Sequence, residues 1–174
     1  VMNSKQIKNL NLKVIILIIV LIVSSRIIPH PPNFTPIISL GLYIPIIFGM
    51  WSIPFFILCY AITDFVIGFH ELLIWTWGSL AIIGLVSKFG KSLFSRLVMS
   101  FCAAMIFFII SNFGVWLTGS FYANNIEGLI NCYTMAIPFF TNTLLSTIMF
   151  AILIEFFVFS KYFNFIPLIK KKYY

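Results

Sequence analysis

The residues able to do chemistry in this chain are few, and they cluster. The stretch RIIPHPPNFTP, Arg26 to Pro36, sets an arginine, a histidine, an asparagine and four prolines between two apolar runs. Asp64 follows in YAITDFVIGFHE, with His70 and Glu71 just behind it. Asn112 stands in SNFGVWLTG, Glu127, Asn131 and Cys132 come a little later, and Asn142 follows IPFF. Arg26 and Asp64 are opposite charges in apolar surroundings. An ionised group inside a membrane span costs about 2.5–3.5 kcal/mol on insertion scales, so the two are expected to pair or to face a wet cavity. Such a pair is a clamp between two segments, a piece of cavity wall, or both. His30 and His70, with Asp64 or Cys132, have the donor types of a transition-metal site, but they come from separate segments and no metal is expected. Phosphate-cradling glycine loops, nucleophile elbows and His-Glu-x-x-His runs are all absent. No catalytic group, enzyme activity or cofactor is therefore assigned.

Composition identifies the setting of these residues. The 174 residues are 61% hydrophobic and 9% charged, with a mean hydropathy of +1.10 and 21 phenylalanines. A soluble domain of this length needs far more charge to cover its surface. The expected class is all-α: a polytopic membrane protein, a bundle of about six transmembrane helices in a single domain covering 1–174. A crossing takes about 20 apolar residues, with a range near 17–25. Runs of that kind occupy roughly 12–28, 36–51, 52–68, 72–87, 97–116 and 133–159. The second opens at Thr35-Pro36, where proline suits a first helical turn and Asn33 or Thr35 could cap it. The last run is longer than one crossing needs. Pro138 is expected to divide it, with the main helix starting at Thr143 and Asn142 lying at the break.

The net charge of +7 does not point to nucleic acid, because of where the charges fall. Lys5, Lys8 and Lys13 precede the first run. Lys88, Lys91 and Arg96 lie between the fourth and fifth, and Lys161, Lys170, Lys171 and Lys172 follow the sixth. With six crossings, every basic residue except Arg26 falls on one side. By the positive-inside rule both termini are cytoplasmic and the polar cluster faces outward. The basic groups on that side are topology signals and headgroup contacts. The lysines ahead of VIILIIVLIVSS also fit a signal peptide, with Val23 and Ser25 at cleavage positions. Removing that segment would leave five crossings and misplaced charges, so it is read as the first span.

The proline-rich loop also has two readings. Pro29, Pro31 and Pro32 deny it regular helical bonding and favour a stiff, extended path. Irregular backbone at membrane depth is tolerated where protein buries it or where it lines a cavity. The loop is expected to fold inward as the rim of an outward-facing pocket, with Arg26 and Asn33 as directed donors and NFGVWL as a second polar-aromatic segment. Trp75, Trp77, Trp116, Tyr122 and Tyr133 suit an interfacial aromatic belt or the stacking of a flat ligand. Cys59 and Cys102 read as inert buried thiols, and three cysteines without paired spacing give no disulfide framework.

The segments RIIPHPPNFTPIISLGLY, NFGVWLTGSFY and GLINCYTMAIPFFTNTLL resemble a family of small bacterial inner-membrane proteins grouped with the S components of energy-coupling-factor vitamin transporters. The resemblance runs from Arg26 to about Leu145. It implies a six-helix bundle in the bacterial inner membrane that captures a vitamin-like molecule from outside. It also implies Arg26, His30, Asn33, Asp64, Asn112, Trp116 and Asn142 as pocket residues. One feature departs from that pattern. S components carry small residues spaced four apart on the first helix, where they dock on a coupling subunit. LKVIILIIVLIVSS contains no alanine or glycine.

Two function classes follow. One is the substrate-binding membrane subunit of an uptake transporter, whose partners are a small organic ligand, the lipid bilayer and coupling subunits. The chain has no ATPase module, so energised transport would need such subunits or a gradient. The other is a noncatalytic helical subunit of a larger membrane complex, in which the same polar residues are clamps and interface contacts.

Overall fold

In a computed structural model the backbone is described over residues 4–159 and the side chains over residues 16–159. The side chains of Lys5, Lys8 and Lys13, and all of Lys161, Lys170, Lys171 and Lys172, lie outside the described residues. Among the described residues the fold is all-helical. The helices are α1 (Ser4–Ile27), α2 (Ile37–Phe48), α3 (Ser52–Ile67), α4 (Leu73–Val86), α5 (Leu93–Thr118) and α6 (Ile126–Ile154). A 3-10 turn, Ser87–Phe89, prolongs α4, and a π turn, Glu155–Phe159, prolongs α6.

Among the described residues two helices are long and apolar enough to cross a membrane. They are α5, with 26 residues, and α6 with its π turn, 34 residues. Only 22% and 28% of their most apolar windows are buried inside the bundle. The core helix of a soluble protein hides most of such a window, whereas these two present theirs outward. Exposed Phe65, Val66, Ile74, Phe94, Phe121 and Ile126 extend the same apolar exterior.

The core is built around α2. Its sequence IISLGLYIPIIF is apolar all round, and every residue from Ile37 to Ile46 is buried. A helix without a polar face belongs inside. It packs against α3, α4, α5 and α6. Ser39 donates to the carbonyl of Thr147 at 2.8 Å, and Gly41 lets Phe56 and Leu80 close over the backbone. At 12 residues α2 is only about 18 Å long, well short of the roughly 30 Å hydrocarbon core.

Neighbouring helices run in alternating directions. Asp64 near the end of α3 meets Trp77 near the start of α4, and Trp116 near the end of α5 meets Ala123 just before α6. Arg96 at the start of α5 meets Glu155 just past the end of α6. The loops 28–36, 68–72 and 119–125 therefore lie toward one end of the bundle, and 49–51 and 87–92 toward the other.

Three sequence expectations change here. α6 begins at Ile126 and not at Tyr133, because Asn125 caps it by accepting from the Gly128 N–H at 2.8 Å and Glu127 sits in the positive first turn. Glu127, Asn131 and Cys132 therefore belong to the helix, whereas the sequence reading had them ahead of it. Second, α6 is not divided at Pro138. It runs through the proline, and the hydroxyls of Thr134 and Thr141 donate back to Ile130 and Ile137 in helical register on either side. Membrane helices tolerate proline when nearby groups re-satisfy the freed backbone. Asn142 accordingly lies in a continuous helix. Third, α5 starts at a reciprocal Ser92–Ser95 capping box and runs to Thr118, beyond both ends of the 97–116 run.

Candidate functional site

The anticipated ion pair is present. Arg26, in the last turn of α1, donates from Nη2 to Oδ1 of Asp64 in α3 at 2.5 Å. The indole N–H of Trp77 donates to the other carboxylate oxygen at 2.7 Å. The guanidinium carbon of Arg26 lies 4.4 Å from the centre of the Tyr60 ring, adding a cation–π contact. His70 reaches the same carboxylate more loosely, with Nε2 3.9 Å from Oδ1, while its Nδ1 lies 3.2 Å from the Leu72 N–H. Asp64 is 0% exposed and the Arg26 side chain 16%. The carboxylate is sealed off, and the guanidinium keeps one side open.

That open side borders a cavity of about 270 Å³. Its polar wall comes from Arg26, His30, Asn33, Thr35 and Thr143, and its apolar wall includes Ile37, Ile38, Tyr60 and Phe107. A second cavity of about 190 Å³ adjoins it across Asn33, Phe107 and Thr143, and extends along α5 and α6 past Asn112. The first lining contains no carboxylate. It offers donors and aromatic faces to an organic ligand that carries acceptors.

The loop between α1 and α2 is tied into the bundle. The Asn142 side chain donates to the carbonyl of Pro32 at 3.1 Å, and the Ser146 hydroxyl lies 3.4 Å from the carbonyl of Asn33. Both partners are more than a dozen residues into α6, so the loop reaches down past the α6 N-terminus. Asn33 has φ +62, a left-handed conformation that asparagine tolerates better than most residues. This backbone role replaces the capping role suggested for Asn33 and Thr35. The N-cap of α2 is Pro36, with no side-chain cap.

The seven residues implied by the resemblance separate into two groups. Arg26, His30, Asn33 and Asn112 border the two cavities. Asp64 stands behind Arg26. Asn142 holds the loop from outside the lining, and Trp116 is engaged elsewhere, donating to the carbonyl of Ala123 at 3.0 Å. Trp75 lines neither of these two cavities. It packs on Gly114, where any Cβ would fall 2.3 Å from its ring, and it meets Phe113 edge-on.

A second charged cluster escaped the sequence reading. Arg96, assigned there to the set of exposed topology charges, is buried. It grips Glu155 with two hydrogen bonds, Nε to Oε1 at 2.5 Å and Nη2 to Oε2 at 2.8 Å. Tyr43 of α2 donates its hydroxyl to Oε1 at 2.7 Å, and Phe159 lies beneath the guanidinium at 4.1 Å. The signal was available: Glu155 is the one acid in the apolar run IMFAILIEFFVF, and an intramembrane acid demands a cation.

A family model described as DUF6580, Family of unknown function, matches residues 6–165. The chain belongs to this family. No curated protein and no solved structure matches it.

Proposed function

We propose that this DUF6580 protein is a six-crossing membrane protein with both termini cytoplasmic. In this reading it binds a small organic ligand in the cavity beneath the 28–36 loop and serves as the substrate-binding subunit of an uptake transporter. The observation that carries the proposal is the cavity itself, roofed by the tied, proline-stiffened loop and edged by Arg26, His30 and Asn33. Irregular backbone inside an apolar bundle marks cavities and binding sites in membrane proteins. Polar donors set against Tyr60 and Phe107 suit a small ligand with one polar end. The resemblance to energy-coupling-factor S components agrees with this reading. The lack of small residues on α1 argues that docking on a coupling subunit, if it occurs, uses another face.

The pocket is tested by two substitutions. His30→Ala removes an exposed lining side chain. Asn33→Gly removes the side chain yet keeps the left-handed backbone, whereas Asn33→Ala would add roughly 1 kcal/mol of strain. Both variants are expected to fold normally and to lose at least fivefold in retention of a co-purified ligand, measured by native mass spectrometry. Normal retention in both would reduce the loop to a structural element.

Topology is tested by cysteine labelling from outside the cell, in a cysteine-free background. Asn124→Cys is expected to react and Ser92→Cys to stay protected. The reverse pattern would place the cavity on the cytoplasmic side and end the uptake reading.

A second reading is favoured by how many polar groups are already engaged. Asp64, Trp116 and Asn142 all spend their side chains on intramolecular bonds. A noncatalytic subunit of a larger membrane complex needs only such clamps. Purification with a fixed set of other subunits and no small molecule would favour it.

A further inference from the structure

The opposite end of the bundle carries charge that nothing among the described residues neutralises. Lys88 and Lys91 flank a third cavity of about 310 Å³ between the α2–α3 turn and the α4–α5 turn. Pro45, Ile46, Gly49 and Met50 form one side, and Ser87 and Gly90 complete the other. Both lysines are exposed, and among the described residues neither has a carboxylate within ion-pair distance. The chain has only four acids. Asp64 is held by Arg26 and Glu155 by Arg96, while Glu71 and Glu127 belong to the far end. Residues 1–15 and 160–174 contain no acid at all. Among the described residues this cavity therefore has no counter-charge, and it is open to one from another molecule.

The surroundings indicate which molecule. Trp51, Phe89, Leu93 and Phe94 are all more than half exposed around the two turns, and the Lys88 ammonium lies 5.0 Å from the Phe89 ring centre. Large exposed apolar and aromatic side chains beside lysines are the pattern of a membrane–water boundary. A free anion in water would gain nothing from them, but an acyl chain would. We infer that the cavity between the α2–α3 and α4–α5 turns binds the phosphate of an anionic phospholipid headgroup, with Lys88 and Lys91 as its charge partners. The lipid's chains lie along Trp51, Phe89 and Phe94. Basic recesses between membrane helices bind anionic headgroups elsewhere by the same physics. The inference rests on membrane embedding alone and is independent of the ligand cavity at the other end.

The test uses the full chain reconstituted in phosphatidylcholine nanodiscs doped with phosphatidylglycerol, so that insertion is complete before binding is read. Lipids retained by the protein are counted by native mass spectrometry. The wild type is expected to retain phosphatidylglycerol well above its share of the bilayer. At roughly fivefold per lysine, the Lys88→Gln/Lys91→Gln variant is expected to lose about 25-fold in this preference. Lys88→Arg/Lys91→Arg keeps it. If the double glutamine variant does not fold, each single variant is expected to lose about fivefold. The inference is overturned if the wild type shows no preference for phosphatidylglycerol, or if Lys8→Gln weakens the preference as much as the double variant does. Displacement of the lipid by millimolar inorganic phosphate would also overturn it, by making the site one for free phosphate.

Discussion

Replacing Arg26 by alanine is expected to cost about 3–5 kcal/mol of unfolding free energy in detergent, whereas Asp64→Ala costs distinctly less. The asymmetry follows from burial. Arg26→Ala leaves a carboxylate that is 0% exposed, with Trp77 as its one remaining close donor. Asp64→Ala leaves a guanidinium 16% exposed at the edge of a cavity, still lying on the Tyr60 ring, where water can reach it. Removing one partner of a buried pair strands a charge, and removing both does not. The Arg26→Ala/Asp64→Ala variant should therefore be more stable than Arg26→Ala alone. Its recovery is incomplete, because Trp77 has lost its acceptor. Equilibrium unfolding by titrated denaturing detergent reads all four corners of the cycle. Strictly additive losses would mean that the two groups do not interact.

This pair was legible in the sequence because both members interrupt strongly apolar runs at similar distances from punctuating loops. The existence of the helices was legible for the same reason. Their boundaries were not. The polar residues near IEGLINCY look like loop by hydropathy, whereas Asn125 and Glu127 are the cap and first-turn acid of a long helix. Hydropathy marks what lies in lipid, but capping chemistry marks where helices begin. The burial of α2 followed from its uniform composition, but its shortness did not. Pro138 does not break α6: a sequence shows the missing N–H and not the neighbours that compensate for it.

The candidate site was partly legible. Arg26 ends α1 and His30 and Asn33 follow in the adjoining loop, so the loop's inward fold carried them together to the cavity. Asn112 arrives from α5 by packing, which spacing alone does not encode. Trp116 and Asn142 have residue types as suitable as the others, yet their side chains are committed to Ala123 and Pro32. Residue type identifies what a group can do. Partner geometry decides whether it is still available.

The second large effect is expected at Arg96. As an exposed topology charge it would tolerate alanine with a change within about 0.5 kcal/mol, the outcome expected for Lys91→Ala in a neutral detergent. The structure instead places it in a bidentate clasp on Glu155, with the two side chains 7% and 10% exposed. Arg96→Ala is therefore expected to cost about 3–5 kcal/mol, because Glu155 is left buried with the Tyr43 hydroxyl still donating to it but no charge opposite. Arg96→Lys should rescue little: an ammonium cannot reproduce the two parallel bonds of the guanidinium fork or lie flat on Phe159. Tyr43→Phe removes one neutral donor and should cost only about 1–2 kcal/mol. Glu155 opens the π turn that ends α6, so the clasp also fixes where that helix changes register. Unfolding titrations of these variants, run beside Lys91→Ala, separate the two views. Equal small losses for Arg96→Ala and Lys91→Ala would return Arg96 to the surface, and a loss several-fold larger at Arg96 establishes the clasp as the bond that holds the start of α5 to the end of α6.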